Sequence, residues 1–158
     1  MKKRAFTVTE YSLTAHCSPS GAHCEARHAE SLRCARAGGA EPICAALISD
    51  THGRIIDDLA EAAAEADLIL VPGDAIENKR PGHPDGIRML ARLAAVAPVF
   101  FSVGNHERAL SREQTDGLAE AGIHCVDLST ERFSVRGTQL CIGGVPSASY
   151  ENGERCET

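Results

Sequence analysis

The sequence predicts an α/β domain with a largely parallel sheet, and two observations carry that prediction. Short apolar runs alternate along the chain with stretches of helical periodicity, and three of those runs stop abruptly at a polar cluster. Strands separated by helices imply right-handed βαβ units, in which the strands lie parallel. The 158 residues are enough for one core, and 43% hydrophobic with 24% charged residues is an ordinary globular balance.

The regular pattern begins near Ile43. Ala45-Ala46-Leu47-Ile48-Ser49 is a short run of the buried-strand type and ends at Asp50-Thr51-His52-Gly53. Residues 54–66 then set Ile55, Ile56, Leu59, Ala62, Ala63 and Ala66 on one helical face. Asp57 and Asp58 fall in its first turn, where the helix dipole favours negative charge. Asp67-Leu68-Ile69-Leu70-Val71 is the second strand, closed by Pro72-Gly73-Asp74. After a loop with Pro81, Gly82 and Pro84, a helix from about Asp85 turns Ile87, Leu90 and Leu93 inward until Pro98 stops it. Val99-Phe100-Phe101-Ser102-Val103 forms the third strand, before Gly104-Asn105-His106-Glu107. Ser111-Arg112-Glu113-Gln114 matches a capping box for a third helix, which Gly122 ends. Ile123 to Val126 is a brief strand, and Gly137-Thr138 joins Phe133–Arg136 to Gln139–Ile142 as a two-residue hairpin.

The flanks differ. Phe6 to Leu13 alternates with period two and predicts a leading edge strand. Between Leu13 and Ile43 the only large aliphatic is Leu32, too little apolar area to offset the entropy of ordering, so a loop or disordered segment is expected. Its Cys- and His-rich composition fits an insertion or a shifted frame in GC-rich coding DNA. Cys17, His23, Cys24, His28 and Cys34 lack the close Cys pair of a structural zinc module. The expected organisation is thus 1–43 as leading strand and Cys/His-rich segment, 44–146 as core, and 147–158 as a polar tail.

Charge and composition narrow the partners. A net charge of −6 and the absence of Trp argue against a basic, base-stacking nucleic-acid footprint. A small phosphorylated substrate remains compatible, since metal ions can supply local positive charge. No window is long and apolar enough to span a bilayer, and seven cysteines form no even disulfide framework, so a cytoplasmic protein with reduced thiols is expected. Cys125 and Cys141, on predicted strands, are expected to act as small buried apolar residues. The oligomeric state is not readable from the sequence.

The three polar clusters each follow the carboxyl end of a strand, the edge at which open α/β sheets bind ligands. Adjacent strands would draw Asp50, His52, Asp74 and Asn105 toward a common point. Carboxylate, imidazole and amide oxygen together suit Mn, Fe or Zn, and two such ions can clamp a phosphoryl group while activating water. Each motif alone has a bland reading: Asp-x-His as a cap beside a surface histidine, Gly-Asp as a turn. Three in order at one sheet edge are harder to dismiss.

Ser49-Asp50-Thr51-His52-Gly53, Gly73-Asp74-Ala75-Ile76-Glu77-Asn78 and Gly104-Asn105-His106-Glu107 resemble the first three motifs of the calcineurin-like metallophosphoesterases. The resemblance implies an αββα sandwich with a dinuclear centre of two divalent ions at the strand ends. It would have Asp50 and His52 hold one ion, Asp74 bridge, Asn105 hold the second, and His106 act as general acid or electrophilic contact at the leaving-group oxygen. Glu77 takes the place of the acidic residue that orients that histidine, and a carboxylate on one ring nitrogen fixes the tautomer. Members usually complete the shell with later histidines, whereas no histidine follows His124 here. The expectation is therefore an incomplete sandwich, the front portion of a phosphomonoesterase or phosphodiesterase. The alternative is a non-catalytic fragment that binds metal weakly.

Overall fold

The computed structural model describes residues 42–78, 85–107 and 110–145. The expectations for Phe6–Leu13, for the Cys/His-rich segment up to residue 41 and for the tail after Val145 lie outside the described residues.

Four short strands, β1 (Ala45–Leu47), β2 (Leu68–Val71), β3 (Val99–Phe101) and β4 (His124–Cys125), form a sheet in the order β1-β2-β3-β4. All neighbours are parallel, with Leu47 opposite Leu70, Leu70 opposite Phe100 and Phe100 opposite His124. The crossovers carry α1 (Leu59–Ala62), α2 (Gly86–Ala94) and α3 (Arg112–Glu120). An antiparallel hairpin of β5 (Thr130–Val135) and β6 (Thr138–Gly143) follows. This is a mixed α/β architecture with a parallel sheet, as the sequence predicts.

Strand alternation divides the sheet into two faces. Ile69, Val71, Val99 and Phe101 point into a core shared with Leu59, Met89, Leu90, Leu93 and Leu118. Leu68 and Phe100 point the other way and pack with Val126, Phe133, Val135, Leu140 and Ile142. Helices therefore cover one side and the hairpin the other, because residues two apart on a strand share a face. α3 starts as expected: the Ser111 hydroxyl accepts from Gln114 N at 3.2 Å, and Gln114 Oε1 accepts from Ser111 N at 2.9 Å.

Several expectations need correction. The first helix is one turn, not residues 54–66: Ile55 and Ile56 precede it, and Ala62 is exposed. Asp58 sits at its N-cap without a side-chain cap bond, and Asp57 pairs instead with Arg92 at 3.2 Å. Alanine methyls bury too little to hold a longer helix down. The β1 run is not a buried strand, since β1 is an edge of the described sheet and Leu47 is 70% exposed. The hairpin turn is Arg136-Gly137, one residue earlier than expected, with φ of +46° and +75°. Two positive φ values are what a type I′ turn requires, and Thr138 accordingly pairs with Val135. Cys125 and Cys141 are exposed, on the edge strand β4 and on the outward face of β6.

Polar ties fasten the hairpin. Arg136 Nε donates to Asp67 Oδ1 at 2.7 Å, and Cys44 N donates to Asp67 Oδ2 at 2.8 Å. The Cys44 amide and then Arg136 hold the Asp67 carboxyl below its ordinary value, against the opposing effect of burial. His124 stacks on Phe100 with centroids 4.6 Å apart and meets Glu131 at 2.9 Å. Among the described residues no helix is long and apolar enough to cross a membrane.

Candidate metal centre

The carboxyl ends of β1, β2 and β3 continue into three loops that remain paired beyond the strands. His52 N donates to Asp74 O at 2.9 Å, Gly53 N to Ala75 O at 2.9 Å, and Asn78 N to His106 O at 3.2 Å. The first two loops turn sharply: φ is +60° at Asp50, +49° at His52 and +56° at Asp74. Non-glycine residues seldom hold this left-handed conformation, though Asp, Asn and His do so more readily than others. The second and third loops touch backbone to backbone. A Cβ on Gly73 would lie 2.5 Å from Gly104 Cα, and one on Gly104 would strike the Asp74 carboxylate. Glycine at both positions is what lets these loops close on each other.

This packing gathers His52, Asp74 and His106, whose ligating atoms all lie within 4.8 Å of one another. Two ligands each ~2.1 Å from one ion can be no more than ~4.2 Å apart, so the cluster stands close to coordination distance. Imidazole and carboxylate donors fit Mn, Fe or Zn. A polar atom without a hydrogen-bond partner, His52 Nδ1, is buried at the same place.

Asp74 Oδ1 also accepts from His106 N at 2.8 Å, which joins the second and third motifs through the donor itself. The His52 and His106 rings meet edge to face with centroids 4.3 Å apart. Glu77 Oε2 lies 2.9 Å from His106 Nδ1 and 3.5 Å from His52 Nδ1, and its side chain is buried. The Glu77–His106 contact expected from the sequence is thus present. Asp50 stands at the rim: its Oδ1 is 3.8 Å from His52 Nε2, the carboxylate accepts from the Ser49 hydroxyl, and the side chain is largely exposed. Asn105 is half-buried in the turn just before His106.

Glu107 escaped the sequence reading, where it was only the last residue of a motif. It is completely buried, and its carboxylate accepts from the backbone amides of Asp74, Gly104 and Ile76. A charged residue in a loop normally reads as solvated, and its three partners are main-chain groups that no residue pattern names.

A family model described as calcineurin-like phosphoesterase matches residues 45–153, a span that contains all three loops. Neither the curated proteins nor the solved structures give a match. With more than half of the chain covered, and a potential metal cluster at the strand ends, the chain belongs to the calcineurin-like phosphoesterase family.

Proposed function

We propose that the site hydrolyses a small phosphate ester, a monoester or a diester, with two divalent ions drawn from Mn, Fe and Zn. The observation that carries this reading is the approach of His52, Asp74 and His106 to within 4.8 Å beside the buried Glu77. In this reading Asp50, His52, Asp74 and Asn105 would hold the ions. Bound there, the ions supply positive charge for a phosphoryl oxygen and make water a competent nucleophile at neutral pH.

The protein side chains do the rest. Glu77 occupies Nδ1 of His106, which leaves Nε2 as the ring atom able to donate a proton to a leaving alkoxide. The hydrogen bond that His106 N donates to Asp74 Oδ1 keeps the histidine beside that carboxylate, which couples the position of the acid to that of the metal donor.

Turnover of p-nitrophenyl phosphate and its bis-ester, with Mn added, tests the proposal. Asp74→Asn should lower both Mn binding and turnover by at least ~100-fold, whereas His106→Asn should slow turnover with a smaller loss of Mn binding. Undiminished turnover in Asp74→Asn would remove the proposal.

A second reading, weak metal binding without turnover, is favoured by the donor count. Among the described residues the cluster unites three donors, His52, Asp74 and His106. Stoichiometric Mn binding with no hydrolysis of either ester would select it. A cytoplasmic setting is proposed with either reading; a fluorescent fusion found in an oxidising compartment would contradict it.

A further inference from the structure

We infer that Glu107 is the positioning residue that sets the gap between the Asp74 loop and the His106 loop. Its side chain leaves the third loop and enters the second. Oε2 accepts from Gly104 N at 2.9 Å in its own loop and from Asp74 N at 2.9 Å in the other. Oε1 accepts from Ile76 N at 2.7 Å, two residues further along that second loop. The Glu107 carbonyl then accepts from Asn78 Nδ2 at 2.8 Å, and Asn78 Oδ1 accepts from Gln114 Nε2 at 2.7 Å, which ties the clamp to the start of α3.

These bonds act where the backbone most needs them. Gly73 and Asp74 both hold positive φ, +124° and +56°, in the stretch whose amides at Asp74 and Ile76 Glu107 binds. Such conformations persist only when their surroundings over-determine them. With no solvent exposure, water cannot replace the carboxylate as the partner of these amides. Asp74 presents its carboxylate and His106 its ring to the donor cluster only while the two loops stay in register. Glu107 holds that register through main-chain amides, that of Asp74 among them.

Glu107→Gln is a sharp probe. A carboxylate offers acceptors on both oxygens, whereas an amide offers one oxygen and an NH2 group. Whichever way the amide turns, a donor faces a donor, at Ile76 N or at the Asp74 and Gly104 pair.

The experiment is amide hydrogen exchange on the full chain, together with Mn titration by calorimetry. In Glu107→Gln the amides of Asp74, Ile76 and Gly104 should exchange at least ~100-fold faster, while those of Ile69 and Ser102, bonded within the sheet, should keep their rates. Mn affinity should fall by ~10–100-fold, the size of effect usual for groups that orient ligands. Leu118→Ala, a change of a buried side chain in the helix-side core, should lower stability without lowering Mn affinity. Uniformly faster exchange across the sheet, or unaltered exchange at the three amides, would overturn the inference, as would an unaltered Mn affinity. Should Glu107→Gln fail to fold, the unmodified chain decides: one clamp requires Asp74, Ile76 and Gly104 to open as one group, and three unrelated opening free energies would reject it. The Mn arm rests on the metal reading above and the exchange arm does not. If the unmodified chain binds no Mn, that reading fails by itself and exchange alone judges the clamp.

Discussion

The two faces of the sheet are built on different principles. Among the described residues, sixteen buried side chains close into one core on the helix side, including Ile69, Val99 and Phe101 without measurable exposure. Among the same residues, Leu68, Phe100 and Val126 are the buried ones on the hairpin side, and Phe133, Val135, Leu140 and Ile142 pack against them half covered. The first face is held by area removed from water. The second combines a thinner apolar layer with named polar contacts: Arg136 on Asp67, and His124 between Phe100 and Glu131. The contrast locates stability on one side of β2 and β3, and makes the hairpin the part that loosens first.

Truncating one ring on each face measures that difference. Phe101→Ala on the helix side should cost ~3–5 kcal/mol, the usual range for a buried aromatic in a packed core, read from urea unfolding. Phe133→Ala on the hairpin side removes a half-covered ring and should cost about 1–2 kcal/mol. Equal losses would break the comparison. Arg136→Ala should have the smallest effect at neutral pH, because its pair is partly exposed and such pairs contribute ~0–1 kcal/mol. Its signature lies in the acid limb. Asp67 titrates below its ordinary value in the folded chain, so its contribution is complete above that value and is lost as pH falls through the folded pKa. Without Arg136 that acid-side decline should become shallower but not vanish, because the Cys44 amide still holds the other oxygen. An unaltered pH profile of the unfolding midpoint would show that the tie contributes nothing.

The sequence made the strand ends readable because their motifs are local. Asp50-Thr51-His52, Gly73-Asp74 and Gly104-Asn105-His106 each lie within a few residues, and the α3 capping box spans four. The helix after β1 was overdrawn because an alanine-rich stretch keeps helical period without contributing much area. Cys125 and Cys141 were misplaced because a two-residue period states that faces alternate and leaves open which face is covered. The Arg136–Asp67 tie joins residues 69 apart, and the Glu107 bonds to Asp74 and Ile76 span more than thirty positions. Such links follow from the folded path of the chain, and no local pattern encodes them.

The left-handed backbone at Asp50, His52 and Asp74 has a consequence for how freely this chain can drift. Each position would be more comfortable as glycine, which adopts that geometry without a Cβ penalty of roughly 1 kcal/mol. Selected for durability alone, a population of such chains would shed these side chains. His52→Gly should therefore melt no lower than the parent while losing affinity for Mn; a clearly lower melting temperature would mean that the imidazole is a structural brick after all. In the proposed reading, these three residues keep metal-binding chemistry in opposition to backbone comfort.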